Sequence, residues 1–142
     1  MGWSQGGYIS AFLTTHTHIF KAISVGAGIS DWETYYVSTD ITPFTRQYLK
    51  ATPWEDRAIY EKTSPMAAIN QATTPTQIQH GELDRRVPIS DAHELYRGLL
   101  LFRYHQALPR HPLVVLHIGS HLFGRLFSFE PGYEMQRSVN AG

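Results

Sequence analysis

The sequence contains no cysteine, which removes disulfide frameworks, thiolate nucleophiles and thiolate metal sites together. It also lacks a charge bias, since 12 Lys and Arg balance 12 Asp and Glu over 142 residues. No basic field is available to hold nucleic acid or an anionic membrane. Apolar runs are short, and none approaches the ~20 residues that a membrane-spanning helix needs. The opening residues have no basic stretch followed by an apolar one, as a secretory leader would. A soluble, cytoplasmic protein is therefore expected. His16-Thr-His18 is spaced like a metal pair, but no cysteine or carboxylate cluster stands beside it at ligand spacing, so neither a metal nor a cofactor is expected. What remains is 42% hydrophobic and 13% aromatic residues, enough for one domain with a real core.

The most informative residues come first. Residues 2–6 read Gly-Trp-Ser-Gln-Gly, a Gly-x-Ser-x-Gly pattern that sets a serine on a tight strand-to-helix turn with its Oγ free to attack a carbonyl. Gly2 and Gly6 are expected to keep side chains out of that turn, with Ser4 in strained backbone geometry. An elbow of this kind follows a central strand. A chain starting at Met1 is thus expected to lack most of that strand and whatever precedes it.

Strands and helices alternate beyond the elbow. Residues 7–16 read as a helix with Tyr8, Ala11, Phe12 and Thr15 on one face. Phe20 to Gly28 reads as a buried strand, and residues 31–53 as a short helix and loop. Pro53 should open a further helix running to about Lys62, with Glu55 and Asp56 in its first turn. Thr76–His80 is a short strand, and 81–88 the loop beyond it. Ser90 or Asp91 then caps a helix whose Ala92, Leu95, Tyr96 and Leu99 form an apolar stripe. Pro112–His117 is the last strand. This order predicts an α/β fold with a mostly parallel sheet and flanking helices.

Acyl transfer at neutral pH needs a serine, an imidazole and a carboxylate that orients the imidazole. In α/β-hydrolases they occur in the order serine, acid, histidine, the last two on loops after successive strands. Ser4 on the elbow, Asp84 after the Thr76–His80 strand and His121 after the Pro112–His117 strand match that order. His117 competes with His121 for the base. The bland alternative for Asp84 is a solvated acid paired with Arg85 or Arg86, and His80 is expected to serve the sheet-end loop structurally.

Gly2-Trp-Ser-Gln-Gly-Gly-Tyr8, Ser64-Pro65, Thr74-Pro75 and His80-Gly-Glu-Leu-Asp-Arg-Arg-Val-Pro88 together resemble the catalytic domain of the prolyl oligopeptidase family. The acylaminoacyl-peptidase and dipeptidyl-peptidase branches are the most similar. The resemblance covers residues 2–98 and implies an α/β-hydrolase-type catalytic domain, N-terminally truncated, within residues 1–142. It implies Ser4 as nucleophile, Asp84 as triad acid and the Gln5 N–H as an oxyanion-hole donor. It also implies Trp32 and Tyr35 as walls of an apolar substrate pocket. The substrate it implies is a peptide or an acyl-amino acid, with a small carboxylic ester as an alternative.

Residues 99–142 depart from the family pattern. Ser120-His121-Leu122 stands where members carry a Gly-His-Gly-like turn, and Arg125–Gly142 lacks the periodicity of a closing helix. The family's second oxyanion donor and β-propeller would lie upstream of Met1. A half-sheet would expose an edge, so a homo-oligomer, a marginally stable chain or a non-catalytic remnant that self-associates is the rival expectation.

Overall fold

The computed structural model describes residues 1–106 and 114–119. Four strands, β1 (Gly2–Trp3), β2 (Ile23–Gly26), β3 (Thr76–Gly81) and β4 (Val114–Gly119), form one sheet in the order β1-β2-β3-β4. Every neighbouring pair is parallel. Parallel neighbours need long crossovers. Helix α1 (Gln5–His16) makes the first, and α5 (Ile89–Gln106) lies between β3 and β4. The middle crossover holds α2 (Trp32–Ser38), α3 (Thr42–Leu49), α4 (Arg57–Thr63) and a 3₁₀ segment, Pro65–Gln71.

Two apolar clusters tie these pieces together. The first joins Ala11 of α1, Ile23 and Val25 of β2, Ile78 of β3, and Ala92, Leu95 and Leu99 of α5. The stripe read from the sequence is thus the buried face of α5, with Tyr96 packed at its margin. On β3 the alternation is strict: Thr76, Ile78 and His80 are buried while Gln77 and Gln79 are half-buried, the period-2 signature of a strand with one core face. The second cluster is aromatic and covers α1 with α2, α3 and α4, burying Tyr8, Trp32, Tyr35 and Tyr60 with Ile29, Leu49 and Val87.

Several local expectations are corrected. The second strand is shorter than Phe20–Gly28: Phe20 is 41% exposed, and pairing begins at Ile23, whose N–H donates to the Pro75 carbonyl at 2.9 Å. Residues 31–53 hold two helices instead of one, because Asp31 caps α2 through the N–H groups of Glu33 and Thr34 and Pro43 sits in the first turn of α3. Pro53 does not open α4. That helix starts at Arg57, capped by Asp56, whose side chain accepts from the Ile59 N–H. Ser90 and Asp91 lie inside α5 and not at its cap, and the Asp91 carboxylate turns inward to accept from the Ser30 N–H at 3.0 Å.

Candidate active site

The carboxyl ends of the parallel strands meet along one edge, the usual site of chemistry in open α/β sheets. Ser4 occupies the end of β1. Its φ of 57° and ψ of −116° lie in a region that costs a non-glycine residue roughly 1–3 kcal/mol, a cost that persists only where neighbours fix the backbone. Here they do. The Ser4 N–H donates to the Gly26 carbonyl at 2.9 Å, and the Ser4 carbonyl accepts from the Tyr8 N–H at 2.9 Å. Ser4 is the N-cap residue of α1, yet its side chain makes no capping bond, and the residue is exposed. Oγ is therefore not consumed by the helix it precedes.

Close approach of backbones explains two glycines. A Cβ on Gly2 would lie 2.1 Å from the Gly6 carbonyl oxygen, and a Cβ on Gly7 would lie 2.1 Å from the Gly26 carbonyl oxygen. Gly6 itself has open space where a side chain would go. The steric role expected of Gly6 thus belongs to Gly7, because the helix turns its next position toward β2.

Gln5 is the first residue of α1, so its N–H has no intrahelical acceptor and stands in the positive end of the helix dipole. Its side chain is engaged elsewhere, with Nε2 donating to the Tyr48 hydroxyl at 2.9 Å. Tyr48 in turn stacks between Trp32, at 5.3 Å, and Phe44, at 5.7 Å. Trp32 and Tyr35 are 0% and 2% exposed and meet edge-to-face at 5.6 Å. Burial raises the Tyr35 hydroxyl above its ordinary pKa of 10.0.

Asp84 lies on the loop beyond β3, the second strand over from β1. Its Oδ1 accepts from the N–H groups of Arg86, at 2.9 Å, and Val87, at 3.1 Å. Those backbone bonds replace the ion pair with Arg85 or Arg86 that a solvated acid would make. The Arg86 guanidinium reaches Asp40 instead, at 3.4 Å. Further bonds pin the loop: Thr39 Oγ1 donates to the Arg86 carbonyl at 2.8 Å, and the Asp40 N–H to the Arg85 carbonyl at 3.1 Å. The Glu82 N–H donates to the Gly119 carbonyl at 2.9 Å, so the loop carrying Asp84 is joined to the last residue of β4. His121 follows that residue by two positions and lies outside the described residues. His117 lies within β4, opposite Gln79.

His16 and His18 turn to different partners. The His16 ring stacks on Phe12 at 3.7 Å, and His18 Nδ1 pairs with Thr73 Oγ1 at 2.8 Å. Among the described residues, no three His, Cys, Asp or Glu side chains gather as metal ligands, and no helix is long and apolar enough to cross a membrane. A cleft of about 410 Å³ among α2, α4 and the 3₁₀ segment is lined by Asp31, Glu33, Arg57, Tyr60 and Glu61 with Met66 and Ala67. Ser4, Gln5 and Asp84 are not part of it.

The group least legible in the sequence is Asp91. It is 0% exposed, and burial pushes its pKa from 3.8 up to about 7, against the pull of the Ser30 and Asp31 N–H groups. Glu94 accepts from Ser30 Oγ at 3.2 Å, and burial raises its pKa too. A signal was present: Asp91 stands four residues before Leu95 and eight before Leu99, so helical spacing puts it on the buried stripe.

The chain is similar to known proteins in sequence and in fold. The chain is 32% identical over 112 residues to an uncharacterized peptidase, YuxL, of Bacillus subtilis, covering 78% of this chain and 17% of that protein. It is 29% identical over 93 residues to dipeptidyl-peptidase 5 of Schizosaccharomyces pombe, covering 64% and 14% respectively. The solved acylaminoacyl peptidase of Pyrococcus horikoshii superposes with a TM-score of 0.73 at 27% identity, over 82% of this chain and 18% of that one. The chain thus spans less than a fifth of the length of these relatives. The parallel sheet with its serine elbow is an α/β-hydrolase fold. The sequence model of the prolyl oligopeptidase family matches residues 1–124, from the elbow through the acid loop and past β4, and with most of its length so matched the chain belongs to that family.

Proposed function

We propose that the chain carries the nucleophile and acid of a serine peptidase acting through an acyl-enzyme on peptide or acyl-amino-acid substrates. One observation carries this reading: Ser4 is held at positive φ at the head of α1, exposed and with no capping bond. Ser4 Oγ attacks the substrate carbonyl carbon while His121 takes its proton and passes it to the departing amine. Water then reverses the sequence to release the acid. Asp84 orients the imidazole and stabilises its charged form. The Gln5 N–H meets the oxyanion, a donor of the kind whose removal costs roughly 2.7–4 kcal/mol of transition-state stabilisation. Trp32 and Tyr35 back the acyl pocket from within the core, and the half-exposed Tyr48 ring stacked on Trp32 is the surface that the substrate meets. No cofactor enters this reaction, small carboxylic esters suit the same chemistry, and the cytoplasm is the proposed compartment.

The test is covalent. A fluorophosphonate probe should label the chain, and Ser4→Ala should abolish labelling. Labelling that survives the substitution, or fails in folded wild type, removes the enzyme reading. His121→Ala should slow the reaction at least about a thousandfold, and His117→Ala should change it little. The opposite result would move the base into β4.

Among the described residues the outer edge of β1 is unpaired, and Ile9 of α1 and Ile19 of the loop after it are 50% and 80% exposed, which favours a second reading in which copies of the chain associate. Sedimentation would decide it. A concentration-independent monomer would rule it out.

A further inference from the structure

The core face of β3 ends on a histidine. His80 is 3% exposed, and its Nε2 lies 2.7 Å from the Val87 carbonyl oxygen. A carbonyl only accepts, so Nε2 carries the hydrogen and donates it. The other ring nitrogen, Nδ1, is buried with no hydrogen-bond partner among the described residues. A second proton there would place an unpaired cation in the core. Burial accordingly holds the ring below its ordinary pKa of 6.5, reinforced by His93 and opposed by the Val87 carbonyl and Asp84. The ring is thus neutral at pH 7 and confined to one tautomer.

The carbonyl that His80 grips belongs to the residue whose N–H grips the candidate acid. Val87 donates to Asp84 Oδ1 at 3.1 Å and accepts from His80 at 2.7 Å, while the residue is only 4% exposed. The loop of residues 81–88 is therefore closed by a relay from the strand, through one residue, to the carboxylate. Release of the Val87 carbonyl would free the backbone of Val87 on one side and weaken the hold of its N–H on Oδ1, leaving Thr39 Oγ1, which donates to the Arg86 carbonyl of the same peptide unit at 2.8 Å, as the remaining tether of that N–H. The Arg86 N–H would then carry more of the hold on the acid.

We propose that His80, as its Nε2–H tautomer, is the positioning residue of Asp84, fixing the acid through Val87. The inference rests on the acid role proposed above for Asp84, but the relay itself can be read without any activity. In the 142-residue protein, long-range 1H–15N spectra at pH 7 should show His80 with Nε2 protonated and Nδ1 bare. An Nδ1–H tautomer would overturn the proposal in wild type, before any variant is made. His80→Phe keeps an aromatic ring and removes the donor. Val87 amide exchange should then rise at least about fivefold, the scale of one net hydrogen bond, and fluorophosphonate labelling of Ser4 should slow. His80→Gln, which places an amide N–H near the Nε2 position, should restore most of both. A folded Phe variant with unchanged Val87 exchange overturns the relay, as does a folded Gln variant that behaves like Phe. Faster exchange in His80→Phe with no Ser4 labelling even in wild type would instead leave the relay standing and sink the enzyme reading.

Discussion

The two loops at the carboxyl edge of the sheet, the elbow around Ser4 and the acid loop around Asp84, reach defined geometry by opposite means. The elbow is shaped chiefly by crowding, with two backbone bonds of Ser4, to the Gly26 carbonyl and from the Tyr8 N–H, holding what the crowding leaves. Gly2 and Gly7 let backbones approach so closely that a single added carbon would fall 2.1 Å from a carbonyl oxygen, and the positive φ of Ser4 is the conformation left over. The acid loop is fixed by directed bonds instead. Asp84 collects two N–H groups of its own loop, and Thr39, Asp40, His80 and Gly119 hold the surrounding backbone. Crowding is local and unforgiving. A network of bonds is long-range and degrades one member at a time.

That contrast sets the order of expected effects. Asp84→Asn keeps an oxygen for the Arg86 and Val87 N–H groups, so the loop should stay closed while the negative charge is lost. Fluorophosphonate labelling of Ser4 should fall at least about a thousandfold with a thermal midpoint close to wild type. A comparable fall in stability would show that the charge, and not the bonds, builds the loop. Gly7→Ala should instead cost stability, about 3 kcal/mol or more, because the clash is with backbone on both sides and cannot relax cheaply. Chemical denaturation would measure it. A loss below about 1 kcal/mol would mean that the elbow tolerates displacement and that crowding does not set its shape.

Asp91 tests the directed bonds at a third place, where α5 meets the Ser30 backbone. Its pKa is raised from 3.8 to about 7 in the folded chain, so its favourable contribution is complete below pH 3.8 and is lost as pH rises through about 7. Asp91→Asn keeps the acceptor for the Ser30 N–H and removes the buried charge. Its thermal midpoint should exceed that of wild type by at least about 3 °C at pH 8, the equivalent of about 1 kcal/mol in a domain this size. The gap should close as pH falls toward 4. A gap independent of pH would assign the effect to packing. The smallest effect belongs to Gly6→Ala, which meets open space in a helix and should stabilise by up to about 1 kcal/mol. Destabilisation there would return to Gly6 the steric role that the structure gives to Gly7.

The elements most legible in the sequence were those whose cause is local. The elbow motif, the apolar stripe of α5 and the short β3 each announce themselves by spacing within a dozen residues. Element starts were less legible. Pro53, Ser90 and Asp91 have the chemistry of helix starts, but Asp56 captured the cap of α4 and the pull of Ser30 drew Asp91 inward. The resemblance implies Trp32 and Tyr35 as pocket walls, and the covering of Trp32 by Tyr48 follows from α3, a helix that the sequence pattern merges into a loop.

By itself the sequence determined the strand–helix alternation, the strained serine and the order of serine, acid and histidine candidates, because each depends on backbone sterics or on periodicity between near neighbours. Tertiary structure alone decided which glycine bears the contact with β2, where the Asp84 carboxylate is held, and which partners His80 and Asp91 meet in the core. Those outcomes depend on residues tens of positions apart becoming neighbours. A side chain's burial and hydrogen-bond partners, and with them its protonation, are properties of that assembled neighbourhood and not of the local chain.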